Sequence, residues 1–312
     1  MKITNGLIEQ HIHGAFGVDF MTCSEDELLN VSEMLPEKGV AAFFPVIMTD
    51  NIELIKERIQ LIKKTMKRQK DKSAKIIGVH LEGPFINPEK TGIHEKKYIL
   101  PLEIELFKRI EDNIIKIVTI APELDFTGEF IKYLKSKNIK ISAGHCLASD
   151  LSNVNQVTHL YNAMGQFSHK NPSTALSSLI NNNIYTEIIA DSYHVIDDVL
   201  KLTFKIRPEN RIILISDALP LAHSSLKESI FAGQKIYNKS GKLVNEQGTL
   251  AGSSYLLCDI IKNLTDKQIL NFDTAYKMAA LNLYEYHNLK DIKNSLTVYW
   301  NDFNEIEKIE FN

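Results

Sequence analysis

Eight short apolar, β-branched runs, separated by stretches with helical apolar spacing, constrain this chain more than any other feature. The runs are Gly6–His13, Val40–Met48, Lys75–Glu82, Ile114–Ala121, Ile139–His145, Gln156–His159, Ile184–Asp191 and Arg211–Asp217. Helical spacing fills the gaps at Glu25–Lys38, Asn51–Lys70, Pro101–Ile110, Phe126–Lys137, Leu147–Val154, Ser173–Asn181 and Val195–Ile206. Strands that alternate with helices build parallel sheets, and eight of them close on themselves, so the pattern predicts an α/β chain folded as a (β/α)8 TIM-like barrel. With 312 residues the chain is long enough for one such barrel with additions.

After Asp217 the pattern changes. A polar stretch from Ser224 to Gly248 contains an expected hairpin, Gln234–Val244, turning at Lys239-Ser240-Gly241, before helices resume near Ser253 and Thr265. The tail alternates apolar and polar residues at Leu296–Tyr299 and Ile306–Phe311, which with Met1–Ile3 predicts a much reduced small β-sheet. The expected division is a barrel over residues 5–290, with residues 1–4 and 295–312 forming a residual β subdomain.

Composition narrows the partners. Lys+Arg 36 against Asp+Glu 39 leaves a net charge of -3, which argues against a broad nucleic-acid or anionic-membrane surface and for a small-molecule partner. The basic run Lys63 to Lys75 reads as a solvated face. Met1 to Gln10 lacks an apolar signal core and no stretch is apolar enough for a membrane span, so a cytoplasmic setting is expected. Cys23, Cys146 and Cys258 are far apart and read as reduced thiols.

Chemistry in such a barrel sits at the C-terminal ends of the strands. There the sequence carries His11 and His13 (strand one), Glu82 (strand three), His145 (strand five), His159 (strand six), Asp191 and then His194 (strand seven), and Asp217 (strand eight). Side chains alternate along a strand, so His11 and His13 point to one side, as a shared metal ion requires. Imidazole with carboxylate suits zinc, iron, manganese, nickel or cobalt. His80 reads as core or as support for the site, and His169, His223 and His287 read as solvated.

The strings His11-Ile12-His13-Gly14, His80-Leu81-Glu82-Gly83-Pro84-Phe85, Gly144-His145, Thr158-His159-Leu160-Tyr161-Asn162-Ala163-Met164, Ala190-Asp191 with His194, and Ser216-Asp217-Ala218 resemble the N-acetylglucosamine-6-phosphate deacetylase family of the amidohydrolase superfamily in order and spacing. Gly248-Thr249-Leu250-Ala251-Gly252-Ser253 resembles a further family segment. The resemblance implies one or two divalent metal ions: one on Glu82, His145 and His159 and, in members that keep the H-x-H pair present here, a second on His11, His13 and Asp217 with Glu82 bridging, the competing outcome being a second site that stays empty. It implies Asp217 as acid and base and His94 as the group that polarises the acetyl carbonyl. It also implies an amino-sugar phosphate held by Ile93, His94, Asn162, Ala163, Asp191, His194 and the loop Leu250, Ala251 and Gly252, in a homodimer.

The match has two departures. The family's arginine-bearing phosphate segment reads His169-Lys170-Asn171-Pro172-Ser173 here, which makes Lys170 the expected phosphate anchor, and only ten residues precede His11, where the family has a β-sandwich. Strand four ends Ile120-Ala121-Pro122-Glu123, without the lysine on which cyclic-amide hydrolases bridge two metals. The implied activity is removal of acetate from N-acetylglucosamine 6-phosphate. The alternatives are the galacto epimer or another N-acetyl sugar, and an inactive barrel that only binds sugar phosphate.

Overall fold

The structure, a computed structural model, describes every residue from Met1 to Asn312. Its centre is a ring of eight parallel strands: β1 (Leu7–Ile12), β2 (Val40–Met48), β3 (Val79–Glu82), β4 (Ile115–Ile120), β5 (Lys140–Ala143), β6 (Gln156–Val157), β7 (Tyr185–Ile189) and β8 (Ile212–Ile215). Neighbours in this order are hydrogen-bonded from β1 to β8. The ends meet where the Asp217 N–H donates to the His11 carbonyl at 2.9 Å and the His13 N–H to the Ala218 carbonyl at 2.9 Å. The (β/α)8 barrel read from the alternation is therefore present, and its strands are apolar runs because both faces are covered.

The expected run Lys75–Glu82 is broken in two. Lys75–Ile76 pairs with β2 on its own, and β3 starts only at Val79. Gly78 sits between them at φ +150, where a Cβ would lie 2.3 Å from Lys116 Cγ, so only glycine passes this corner.

The outer helices follow their apolar periodicity. Ile52–Arg68 buries Ile55, Ile59 and Ile62 on one stripe and is capped by Asn51, whose Oδ1 accepts the Leu54 N–H at 2.8 Å. Glu25–Met34 opens with a reciprocal Ser24 and Glu27 capping box. Three expected helices differ. Pro101–Ile110 is helical only over Ile104–Lys108, and Phe126–Lys137 only over Glu129–Ser136, after Gly128 in a left-handed turn. Leu147–Val154 forms no helix. Its apolar spacing serves burial of Ala148, Leu151 and Val154 from a chain of turns, while Asp150 Oδ1 accepts the Ser152 N–H and competes with helical bonding.

Beyond β8 the expected hairpin forms from Gln234–Lys239 and Lys242–Asn245, within a four-stranded antiparallel sheet completed by Glu228–Phe231 and Leu250–Ser253. At the other end Lys2–Asn5, Leu296–Trp300 and Ile306–Phe311 form a three-stranded antiparallel sheet. Leu296, Val298 and Trp300 pack into the same apolar cluster as the barrel strands.

Candidate active site

The barrel strands deliver their polar residues to one end. His11 lies inside β1 and His13 just beyond it, Glu82 closes β3, and His145, His159 and Asp217 fall past the ends of β5, β6 and β8. These last three adopt φ of +48, +29 and +51, a left-handed backbone that non-glycine residues avoid. Strained backbone of this kind clusters at functional sites, and here it falls at the ends of β5, β6 and β8.

Glu82 is the hub. Its Oε1 lies 3.1 Å from His145 Nε2 and 3.0 Å from His159 Nε2, and those two nitrogens are 3.2 Å apart. Its Oε2 lies 3.4 Å from His13 Nε2 and 3.5 Å from His94 Nε2. A second cluster adjoins: His13 Nε2 is 3.0 Å from Asp217 Oδ1, and His11 Nε2 is 3.3 Å from both His13 Nε2 and Asp217 Oδ1. Glu82, His145 and His159 form one group of convergent ligand atoms, and His11, His13 and Asp217 form another, all buried.

This donor set fits a metal ion. Two neutral imidazole Nε2 atoms facing each other at 3.2 Å cannot both accept or both donate, but both can ligate a cation. Ligands about 2.0–2.1 Å from a tetrahedrally coordinated ion sit roughly 3.3–3.4 Å from one another, close to the spacings here. The Nδ1 of His145 is held by the Lys90 carbonyl at 2.8 Å, which leaves Nε2 aimed inward.

Electrostatics agree with a cation-binding role. Burial opposes the charge on Glu82, yet His11 and the bonds from His11, His145 and His159 outweigh it and hold the carboxyl well below its usual range. Burial likewise opposes ionisation of Asp217, and the hydrogen bond from His13 with the charges of His11, His13 and His159 brings it down to about 2. Burial and the neighbouring His145 push His94 down to about 4.

A cleft of about 270 Å³ opens over these groups, lined also by Gly92, Ile93, His94, Asn162, Ala163, His194, Thr249, Leu250, Ala251 and Gly252. Asp191 does not line it; it holds His194 instead, through Oδ2 to Nδ1 at 2.8 Å. Lys170 is not brought there: its side chain is exposed and outside the lining. His287, expected in solvent, is half-buried, with Nε2 2.5 Å from Gln10 Oε1, because its ring packs on Phe44 at 4.7 Å. His80 is buried and bonded to Thr119 Oγ1 at 2.8 Å. Missed in the sequence were Met48 and Leu219, which line the cleft with nothing but apolar character to mark them, and Glu187, behind His11. Its signal was a lone carboxylate in the middle of the apolar run Ile184–Asp191.

A parallel eight-stranded barrel with two adjoining histidine and carboxylate clusters at its C-terminal end defines the amidohydrolase class of barrel. A scan against family models finds no match. Among curated proteins the chain is 32% identical over 307 residues to N-acetylglucosamine-6-phosphate deacetylase of Bacillus subtilis, covering 94% of this chain and 77% of that one. It is 30% identical over 318 residues to the mouse enzyme of that name, covering 93% and 76%. An N-acetylgalactosamine-6-phosphate deacetylase of Escherichia coli O157:H7 is 26% identical over 284 residues, covering 88% and 75%. The solved structure of N-acetylglucosamine-6-phosphate deacetylase from Thermotoga maritima superposes with a TM-score of 0.89 at 25% identity, over 99% of this chain and 87% of that one. The chain belongs to the N-acetylglucosamine-6-phosphate deacetylase family.

Proposed function

We propose that this chain is a metal-dependent hydrolase that removes acetate from N-acetylglucosamine 6-phosphate to give glucosamine 6-phosphate. The observation that carries the reading is Glu82 with the Nε2 atoms of His145 and His159 at 3.1 and 3.0 Å, beside Asp217. Glu82, His145 and His159 would hold one divalent ion, and His11, His13 and Asp217 a second; zinc, iron, manganese, nickel and cobalt all suit this donor set. A bound divalent ion supplies Lewis acidity, which brings the pKa of water toward neutrality and polarises an amide carbonyl.

The protein groups do the rest. Asp217, ionised at neutral pH, accepts a proton as water oxygen bonds to the acetyl carbon, then returns it to the sugar nitrogen as the C–N bond breaks. Acetate and the amine leave. His94, on the cleft wall with Nε2 directed at Glu82, donates to the acetyl oxygen as charge develops there. Asn162, Ala163 and Leu250 to Gly252 line the cleft where the sugar would sit, and His194, its ring held by Asp191, would meet the phosphate. The expected homodimer and cytoplasmic setting belong to the same reading. A barrel kept only to bind sugar phosphate has no need of Asp217 or the complete ligand set.

The test is acetate release from N-acetylglucosamine 6-phosphate, its galacto epimer and the two unphosphorylated sugars. The phosphorylated gluco substrate is expected to lead. His194→Ala removes a charge-assisted bond of about 1.5–3 kcal/mol and should lower kcat/KM for that substrate by about 10- to 150-fold, leaving the unphosphorylated sugar nearly unchanged. Lys170→Ala, at an exposed and screened position, should change it by less than about 3-fold. Equal loss on both sugars in His194→Ala refutes the phosphate assignment.

A further inference from the structure

We propose that Glu187 is a positioning residue that fixes the tautomer of His11 and thereby builds the second metal position. This rests on the metal reading above. Glu187 lies in the middle of β7 and is fully buried, in a barrel interior where branched apolar residues are the rule. Its Oε2 is 3.2 Å from His11 Nδ1, while its Oε1 accepts from Gln10 Nε2 at 2.5 Å and Gln156 Nε2 at 2.9 Å. None of these atoms reaches the cleft, and the proposed hydrolysis uses none of them.

A carboxylate can only accept, so the ring nitrogen that faces it must carry the hydrogen. With Nδ1–H held by Glu187, it is Nε2 that would give up its hydrogen when a cation binds, and that atom faces His13 and Asp217, 3.3 Å from each. His11 is the one candidate metal ligand whose ring is secured by a carboxylate from behind. His145 has the Lys90 carbonyl, and the Nδ1 atoms of His13 and His159 have no partner.

The two glutamines are themselves locked in one sense. Gln10 Oε1 receives His287 Nε2 at 2.5 Å, and Gln156 Oε1 receives Gln10 Nε2 at 3.3 Å, so both present N–H to Glu187. Glu187→Gln therefore has one favourable orientation. An amide NH2 turned toward the glutamines meets two donors, and turned toward His11 it meets one. It turns toward His11, whose ring must then accept at Nδ1 and carry its hydrogen on Nε2, where it cannot ligate.

The experiment titrates the full-length, chelator-stripped protein with zinc and measures metal per chain by mass spectrometry after gel filtration. Wild type is expected to bind a second equivalent beyond the first. Glu187→Gln should keep the first and weaken the second by about 10- to 100-fold, the usual effect of losing a group that orients a ligand. In a His11→Ala background the Glu187→Gln change should do nothing more. A second equivalent as tight in Glu187→Gln as in wild type, equal loss of both, or a wild type that takes only one overturns the proposal. A wild type that takes none overturns the metal reading itself. Should Glu187→Gln fail to fold, nitrogen-15 spectra of zinc-loaded wild type decide: His11 with hydrogen on Nδ1 and zinc on Nε2 supports the role, and hydrogen on Nε2 overturns it.

Discussion

Asp217→Asn lowers kcat for acetate release by at least about 10²–10⁴-fold, the range general acid and base catalysis supplies, while the sugar phosphate still binds. Asparagine keeps the shape of the side chain and the contact with His13, 3.0 Å away in the wild type, but cannot take a proton from water and return it to the leaving nitrogen. Because Asp217 also borders the second cluster, metal content is measured on the same sample, and the comparison is made at the occupancy the variant retains. Near-normal turnover in this variant refutes the acid and base role.

Glu82→Gln removes metal and activity together. The Glu82 carboxylate lies between the Nε2 atoms of His145, His159, His13 and His94, at 3.1, 3.0, 3.4 and 3.5 Å, and His11 Nε2 stands 3.6 Å from it. A neutral amide is a far poorer ligand, and its NH2 would face imidazole nitrogens that already converge. The loss of affinity should exceed the roughly 10- to 100-fold typical of residues one step removed from a metal. Parallel measurement of bound metal and of kcat across both variants separates the roles: Asp217→Asn loses rate with the first metal retained, whereas Glu82→Gln loses both. Full metal occupancy in Glu82→Gln contradicts the assignment.

Most of the barrel was legible because each strand is a short β-branched run and each helix a separate period. Val40–Met48 agrees end to end, and the outer helix Ile52–Arg68 lies within its expected range. Legibility failed where apolar spacing had another cause: Leu147–Val154 spaces its apolar residues as a helix does, yet it buries them from turns anchored by Asp150. Strand ends were blurred for a related reason. His145, His159 and Asp217 stand in left-handed backbone just beyond the pairing, a conformation that sequence propensity does not mark.

The convergent residues of the site were legible because a parallel barrel sends every strand's C-terminal end to the same face. What stayed hidden depends on which groups meet across the barrel. Lys170 follows the site closely in sequence but its loop leaves it in solvent, and Asp191 acts through His194 rather than on the cleft wall. Glu187 and His287 acquire their meaning only when Gln10 and His11 lie beside them.

The most direct test of the central claim is acetate release from N-acetylglucosamine 6-phosphate by the full-length protein, followed through metal removal and reloading. The account predicts stoichiometric acetate and glucosamine 6-phosphate from the metal-loaded protein, loss of both on chelation, and their return when zinc, iron, manganese, nickel or cobalt is restored. Turnover that persists undiminished after the last metal is stripped, or no acetate from a protein that is folded and fully loaded, would contradict it.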